Sequence, residues 1–224
     1  MNKRIFVFIL FYLFPFYLWA GVDFDAGSER FSATGVTITT GSFTWTAWIK
    51  PDILSGHQVL FRHSNSWRIQ LAATNLRFTI PSVADYSFST LSLVTGTWQF
   101  IAVTVTGTTA TGYLGTKSEV ATITAPTGTP SDFVAGDADF SLSLDGSLDD
   151  LRVYSRVLTV SELESLANSR TRLVLTDGLR LWWCMDDGIQ GENVVSVRDR
   201  SINNYTGTPS GTLSWILSPW LSYP

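Results

Sequence analysis

Two glutamates separated by one residue, Glu162 and Glu164, raise the question of glycoside hydrolysis, because that reaction uses a pair of carboxylates. A retaining hydrolase holds the two groups about 5 Å apart, a separation that alternate acidic residues on one strand face, such as Glu-x-Asp-x-Glu, can supply. The chain has no such pattern. Both glutamates fall on a predicted helix, where residues i and i+2 point in different directions. We therefore expect no catalytic carboxylate pair.

The two histidines, His57 and His63, are the other candidates for acid–base catalysis. They flank a predicted hairpin, without the adjacent acid and the serine on a sharp turn that a hydrolase triad requires. We interpret them as ordinary loop and strand-end histidines. The sequence therefore predicts a protein that is not an enzyme and has no catalytic residues.

Adjacent tryptophans near the C-terminus offer a different chemistry, the binding of a ligand or a subunit. Neighbouring strand residues point to opposite faces, so Trp182 and Trp183 cannot both enter one core. One of them must face outward or lie under a covering loop or a partner. With Trp215 and Trp220, they are candidates for a ligand-binding platform or an assembly contact. Simple packing is the alternative.

Cys184 is the only cysteine, so the chain cannot form an internal disulfide. With 2 His and 1 Cys, little is left for a zinc site. We expect Cys184 to be a buried thiol, although an odd cysteine in a secreted chain also permits intermolecular pairing.

Charge and composition exclude two broad classes of protein. Lys and Arg number 15 against 19 Asp and Glu, for a net charge of -4 without a basic cluster, which argues against a nucleic-acid partner. Hydrophobic residues make up 45%, with 9 Trp and 14 Phe, which argues against disorder. A chain of 224 residues suits one all-β domain of roughly 200 residues.

The N-terminus has the order of a secretory signal peptide. Lys3 and Arg4 precede the apolar run Ile5 to Trp19, and Ala20-Gly21 offers a small residue at the cut. The run is shorter than the ~20 residues of a spanning helix, and Pro15 interrupts its hydrogen bonding. We predict that residues 1–20 are a signal peptide and that the cleaved protein is extracellular without a membrane span. A retained anchor is the alternative.

Beyond Gly21 the chain alternates between apolar and polar residues with period two. Phe43, Trp45, Ala47 and Ile49 share one predicted strand face, and similar short runs recur between Gly, Ser, Asn and Pro. This spacing predicts an all-β antiparallel sandwich. We see no linker that would divide residues 21–224 into two domains.

One helix interrupts the predicted strands near residues 159–168. Thr159 and Glu162 have the spacing of a capping box, and Leu163 and Leu166 follow on one helical face. We expect a short surface helix that covers part of a sheet.

Five segments occur in the order found in laminin-G-like domains: Val22–Phe31, Phe43–Pro51, Gly96–Thr104, Leu144–Tyr154 and Leu158–Leu163. The chain therefore resembles the laminin-G-like, concanavalin A-like jelly rolls. The resemblance implies a two-sheet jelly-roll sandwich that binds carbohydrate or a surface protein, and it implies no catalysis. It also implies that Trp45, Trp98 and Phe100 are buried.

A second resemblance lies near the C-terminus. The segment Asp177–Gly188, followed by Asp199–Asn204, resembles the strand and turn that usually open such domains. Because the ends of a sandwich usually lie close together, residues 168–216 are predicted to complete the same fold. We expect Leu179 to Met185 to pair near Val22 to Phe24. A truncated second domain is the alternative.

Calcium is the cofactor that the resemblance implies. Glu29 matches an acidic position of a family motif, and Asp149 with Asp150 matches the acidic pair before the Arg-x-Tyr strand. Hard cations prefer such oxygen ligands. The alternative is that the aspartates bind turn amides or pair with Arg30 and Arg152.

Asn204 begins an Asn-Tyr-Thr sequon in a predicted loop, which makes it a candidate glycosylation site.

Two functional classes remain. The first is a secreted binding module for a carbohydrate or a surface protein. The second is a self-associating structural subunit of a fibre, coat or virion surface, whose apolar tail and free sheet edges contact neighbouring copies.

Overall fold

The computed structural model describes residues 20–25, 27, 29–38, 41–64, 66–128, 131–136, 143–168 and 173–217. Residues 1–19 of the predicted signal peptide, which ends at Ala20, therefore lie outside the described residues, and cleavage stays a prediction. Trp220 lies outside them as well.

Fifteen strands make up most of the described chain. The first eight are β1 (Ala20–Asp25), β2 (Arg30–Ala33), β3 (Ser42–Pro51), β4 (His57–His63), β5 (Trp67–Ala72), β6 (Asn75–Ile80), β7 (Ala84–Ser92) and β8 (Gln99–Thr106). The other seven are β9 (Thr109–Leu114), β10 (Lys117–Thr122), β11 (Phe133–Ala135), β12 (Asp145–Tyr154), β13 (Leu179–Trp183), β14 (Thr208–Ser210) and β15 (Ser214–Leu217). The helix α1 (Val160–Asn168) lies between β12 and β13.

The strands form two antiparallel sheets, as the sequence predicted. The larger sheet has eight strands in the order β10-β9-β8-β3-β12-β1-β15, with β13 also paired to β12. The smaller sheet has seven strands in the order β14-β2-β11-β4-β5-β6-β7. The two sheets pack as a jelly-roll sandwich, because inward-facing apolar residues of both meet in one core.

Strand β3 shows how alternation builds this core. Phe43, Trp45, Ala47 and Ile49 are at most 1% exposed and belong to the core between the sheets. Trp48 lies on the opposite, outer face of the larger sheet. The period-two prediction for this strand is confirmed.

The C-terminal strands join the same two sheets. Strand β13 pairs with β12 over Leu151 to Tyr154, and β1 pairs with the preceding stretch of β12, Asp145 to Leu148. The segment that starts at Leu179 therefore lies end to end with β1 along β12, and not side by side with it. Strand β15 pairs with β1, and β14 pairs with β2.

Helix α1 begins with the predicted capping box. The Glu162 amide donates to Oγ1 of Thr159 at 3.3 Å, and the Thr159 amide donates to Oε2 of Glu162 at 2.8 Å. Leu163 and Leu166 are buried against the outer face of the larger sheet. In the described part of the chain, no helix is long and apolar enough to cross a membrane.

Candidate groove on the outer face of the larger sheet

A groove opens on the outer face of the larger sheet, beyond the C-terminal end of α1. Its volume is about 320 Å³. The groove is lined by strands β3, β8 and β9, by the loops beside β8 and β9, and by the end of α1. Its lining residues include Trp48, Trp98, Phe100, Leu114, Thr116 and Asn168. Two indoles and a phenyl ring therefore share one surface depression with polar side chains at its rim.

Strand register positions the aromatic rings of the groove. Trp48 and Phe100 are cross-strand partners on β3 and β8, with ring centroids 5.8 Å apart in an edge-to-face arrangement. Trp98 precedes β8, and its indole reaches across the sheet to β1. A Cβ at Gly21 would lie 3.1 Å from Cη2 of Trp98, so the absence of a side chain at this position leaves room for the indole. Both indoles are only half-buried.

A row of polar residues crosses the sheet beside Trp98. Lys50, Ser147 and Asp23 are register partners on β3, β12 and β1. The Ser147 hydroxyl donates to Oδ1 of Asp23 at 2.6 Å, and Nζ of Lys50 lies 5.8 Å from the Trp98 ring centroid. Lys50 and Asp23 thus place a hydrogen-bond donor and an acceptor next to an aromatic ring, whereas Ser147 between them is buried.

Gln99 has a different role, although it also lines the groove. Its Nε2 donates to the Val94 carbonyl at 2.8 Å, and its Oε1 accepts from the Val94 amide at 3.2 Å. The side chain therefore fixes the turn before β8 and with it the position of Trp98.

Carboxylates gather at the end of the sheet where β1 and β12 meet. Burial raises the pKa of Asp23, and the neighbouring Asp52 and Asp25 raise it further. Burial also raises the pKa of Asp145, helped by the charges of Asp52, Asp25 and Asp23. This end of the sandwich therefore carries mutually repelling charges.

The family follows from the sequence match and agrees with this fold. A profile of the concanavalin A-like lectin/glucanase superfamily matches residues 25–164, more than half of the chain. The chain belongs to this superfamily. The resemblance inferred from the motifs is confirmed, and so is the jelly-roll fold class.

Solved structures of the concanavalin A-like fold superpose on this chain. A proposed carbohydrate-binding protein from Bacteroides ovatus has a TM-score of 0.69 at 16% identity, over 90% of this chain and 60% of its own. A heptameric SAP-like pentraxin from Limulus polyphemus has a TM-score of 0.65 at 12% identity, over 92% and 99%. Domain 4 of an extracellular arabinanase from Geobacillus stearothermophilus, solved with arabinotriose, has a TM-score of 0.56 at 21% identity. The match covers 66% of this chain and 76% of that domain's chain.

This chain spans about 60% of the length of the Bacteroides ovatus protein. No curated protein sequence matches it. At these identities, the structural likeness establishes the concanavalin A-like fold and nothing further about the ligand.

The tryptophans proposed as a platform are buried in this concanavalin A-like sandwich. Trp182, Trp183 and Trp215 are 7%, 0% and 3% exposed, so an exposed platform at these three residues is wrong. Trp183 enters the core between the sheets, whereas Trp182 lies on the outer face with the buried leucines of α1. The two indoles therefore enter different faces of the sheet, and of the alternatives for the outer one the structure shows Trp182 buried in the cluster that includes α1. Self-association through Trp220 stays a prediction.

The half-buried indole that the sequence did not predict is Trp98. The family resemblance implied that it is buried, but it precedes β8 and extends over the outer face, where it stays half-buried. Trp48 was detectable, because alternation along β3 places it opposite Trp45. Phe100 is 3% exposed, as expected.

The structure does not bring the proposed metal ligands Glu29, Asp149 and Asp150 into one site. The Glu29 carboxylate accepts a hydrogen bond of 2.6 Å from the Asp25 amide, and the Asp149 carboxylate accepts one of 2.7 Å from the Asp150 amide. Asp150 forms a buried ion pair with Arg152 at 2.9 Å. Among the described residues, no group of three His, Cys, Asp or Glu side chains is arranged to hold a metal.

Three other predicted residues have clear positions. Asn204 is exposed in a loop after β13, which a glycosylation site requires, and its modification stays a prediction. Cys184 is a buried thiol, 2% exposed, that donates to Oδ1 of Asp186 at 2.7 Å. His63 ends β4 inside the core, where burial lowers its pKa to about 4.

Proposed function

We propose that the protein is a secreted, non-enzymatic carbohydrate-binding module and that a sugar ring stacks in the groove between Trp48 and Trp98. The observation that carries this proposal is the pair of half-buried indoles lining one depression of about 320 Å³. Ligand sites are typically concave, aromatic and furnished with a few polar groups.

The polar row beside Trp98 supports recognition of hydroxyl groups. The carboxylate of Asp23 accepts hydrogen bonds, and the ammonium of Lys50 donates them. Adjacent hydroxyls of a sugar both donate and accept. A neutral or weakly charged sugar therefore suits this surface better than an apolar ligand does.

Two of the superposed proteins agree with this assignment. One is described as a proposed carbohydrate-binding protein, and another was solved with arabinotriose. They support a sugar as the ligand class, and arabinotriose is therefore a sensible first probe.

Glu162 on α1 is poorly suited to general acid catalysis. Glu162 accepts two hydrogen bonds from Arg156, at 2.6 and 2.9 Å, and these bonds lower its pKa to about 2. A general acid needs a raised pKa instead. This pairing favours a binding protein over a glycosidase.

The test is titration calorimetry with arabinotriose, linear arabinan and a panel of neutral oligosaccharides. We expect at least one ligand to bind the wild type, and Trp98→Ala to weaken it about tenfold or more. Thr116→Trp, which fills the rim of the groove, is expected to weaken the same ligand. Ile202→Ala is the control, because Ile202 is 96% exposed away from the groove.

Thermal unfolding of each variant separates lost binding from lost folding. Binding of no sugar by the wild type, or full affinity in both Trp98→Ala and Thr116→Trp, would refute the groove as a sugar site.

A further inference from the structure

The polar row beside Trp98 crosses four strands of the larger sheet. It starts at Lys50 on β3 and passes through Ser147 on β12 and Asp23 on β1, and Ser214 on β15 is the register partner of Asp23. Apolar neighbours along each of these strands enter the core, so the row lies on the outer face of the sheet. Adjacent strands are about 4.8 Å apart, so the row is about 14 Å long.

The polar row adjoins the groove but does not line it. Trp98 lines the groove, and Nζ of Lys50 lies 5.8 Å from the centroid of the same indole. Trp48 and Lys50 are two residues apart on one face of β3, which puts their Cα atoms about 7 Å apart. A ligand that occupies the groove and extends past Trp98 therefore meets Lys50 first.

The two charged side chains of the row have hydrogen-bonding capacity left. Oδ1 of Asp23 accepts from the buried Ser147 hydroxyl at 2.6 Å, and among the described residues no group donates to Oδ2. In the same part of the chain, the Lys50 ammonium makes no hydrogen bond and no ion pair, either with Asp23 or with another side chain. Both side chains are half-buried. Hydrogen bonds from a ligand to such charged groups are roughly twice as strong as those between neutral groups.

We propose that the polar row is a second sugar subsite, so that the ligand is a neutral oligosaccharide that passes from the groove across Trp98 to Lys50 and Asp23. This inference rests on the proposed sugar-binding function of the groove. Because sugar hydroxyls both accept and donate, one ring can accept from the Lys50 ammonium and donate to Oδ2 of Asp23. Strands β3 and β1 are about 10 Å apart, which leaves room for a sugar ring between the two charged ends.

The charges around the row favour a neutral chain over an acidic one. The Lys50 ammonium would attract a uronate. Asp23 would repel it, and so would Asp52 and Asp25, whose negative charges already act on Asp23. Three carboxylates against one ammonium disfavour an anionic sugar in this subsite.

The experiment compares sugars of different length on the whole protein. The neutral probes are arabinose, arabinobiose and arabinotriose, and glucose, cellobiose and cellotriose. Trigalacturonate is the acidic probe of the same length. Titration calorimetry measures the longer sugars, and ligand-observed NMR measures the monosaccharides.

The test variants are Lys50→Met and Asp23→Asn, which each remove one charge at nearly unchanged size. Lys117→Met is the matched control, because Lys117 is exposed on β10, at the opposite edge of the same sheet. Thermal unfolding shows whether each variant is folded.

We expect at least one neutral trisaccharide to bind the wild type about tenfold more tightly than its monosaccharide does. Lys50→Met and Asp23→Asn should each bring this ratio of affinities close to one, because the second sugar loses a hydrogen-bond partner. Lys117→Met should keep the ratio within about twofold of the wild-type value.

Three results would overturn this inference: equal affinity of the wild type for mono- and trisaccharides, an unchanged ratio in both Lys50→Met and Asp23→Asn, or tighter binding of trigalacturonate than of either neutral trisaccharide. Failure of the proposed function gives a different result. In that case no sugar of either neutral series binds the wild type, or Trp98→Ala and Thr116→Trp keep full affinity for every sugar that binds.

Discussion

The indole Nε1 of Trp182 donates a hydrogen bond of 2.6 Å to Oδ1 of Asp150, and this bond joins β13 to β12 on the outer face of the larger sheet. The same carboxylate accepts hydrogen bonds from Nε and Nη2 of Arg152, at 3.0 and 2.9 Å. Arg152 also lies 4.3 Å from the Trp182 ring centroid, within the range of a cation–π contact. All three side chains are at most 7% exposed.

Replacing Asp150 with alanine should be severely destabilising. The substitution leaves the Arg152 guanidinium buried without a counter-charge, which typically costs about 3–5 kcal/mol in the free energy of unfolding. Urea unfolding of Asp150→Ala measures this loss. The control is Asp177→Ala, since the Asp177 side chain is 86% exposed in its pair with Arg156 and its loss should cost about 0.5 kcal/mol or less. Equal losses would contradict the role of Asp150.

Trp182 and Trp183 show how far the sequence predicts this structure. Alternation predicts that the pair points to opposite faces, and it does, because the rule depends only on strand geometry. What covers Trp182 is not predictable in this way, because it depends on where α1 packs. The family resemblance locates the strands but misplaces Trp98, whose exposure depends on a tertiary contact with Gly21 on a distant strand.

The acidic residues show a similar limit. Spacing identifies Asp149 and Asp150 as an adjacent pair, but it does not show whether a carboxylate faces a cation or an arginine. In the structure Asp150 lies at a β-bulge with φ of 48°, and its carboxylate meets Arg152 from the same strand. A bulge changes which residues face each other, so strict alternation fails there.

Gly188 is expected to tolerate no side chain. A Cβ at this position would lie 1.9 Å from Nε1 of Trp215, which is 3% exposed. Gly188→Ala must therefore displace a core ring, and such overpacking costs about 1–3 kcal/mol. A double-mutant cycle measures the interaction energy between the two positions. It compares the thermal unfolding of Gly188→Ala, Trp215→Phe and the double variant. The smaller ring should recover part of the loss, and strictly additive effects would contradict the contact.

Calcium binding is tested by thermal unfolding. A cation that binds the native protein and not the unfolded chain raises the melting temperature. If a calcium site exists in the native protein, excess calcium raises the melting temperature and a chelator reverses the gain. Magnesium at the same concentration controls for the screening of surface charge. An unchanged melting temperature with calcium and with chelator would remove calcium as a cofactor.

The carboxylates at the end of β1 should make the protein more stable as the pH falls from neutrality. The pKa values of Asp23, Asp145 and Glu29 are raised in the folded state, mainly by burial and also by one another or by Asp25. The folded protein therefore binds protons more tightly than the unfolded chain does. Stability is lowest above the raised pKa values and increases as the pH falls through them.

Asp145→Asn should relieve part of this repulsion at neutral pH. Because Asp145 is only half-buried, we expect a gain of about 0.5 kcal/mol or less, and a shallower change with pH. Urea unfolding between neutral and mildly acidic pH measures both the free energy of unfolding and its change with pH. Glu164→Gln is the control, as Glu164 is exposed on α1. A loss of stability in Asp145→Asn at neutral pH would contradict the repulsion.

His63 should have the opposite effect on the pH profile. Its imidazole packs among Trp45, Trp67 and Phe133, and Nε2 donates to the Val36 carbonyl. Burial lowers its pKa from 6.5 to about 4, so the folded state holds it neutral while the unfolded chain takes up a proton. This contribution is fully present above pH 6.5 and is lost as the pH falls toward 4.

The full loss amounts to about 3 kcal/mol, at about 1.4 kcal/mol for each pH unit between the two pKa values. Urea unfolding across this range should show the slope in the wild type and in His57→Gln, because His57 is exposed. His63→Phe keeps an aromatic ring in the cluster and removes the titrating group. We expect the loss of stability toward acid to disappear and the opposite trend of the raised carboxylates to remain, even though the absolute stability shifts through the lost hydrogen bond to Val36. A wild-type slope in His63→Phe would show that another group controls the acid sensitivity.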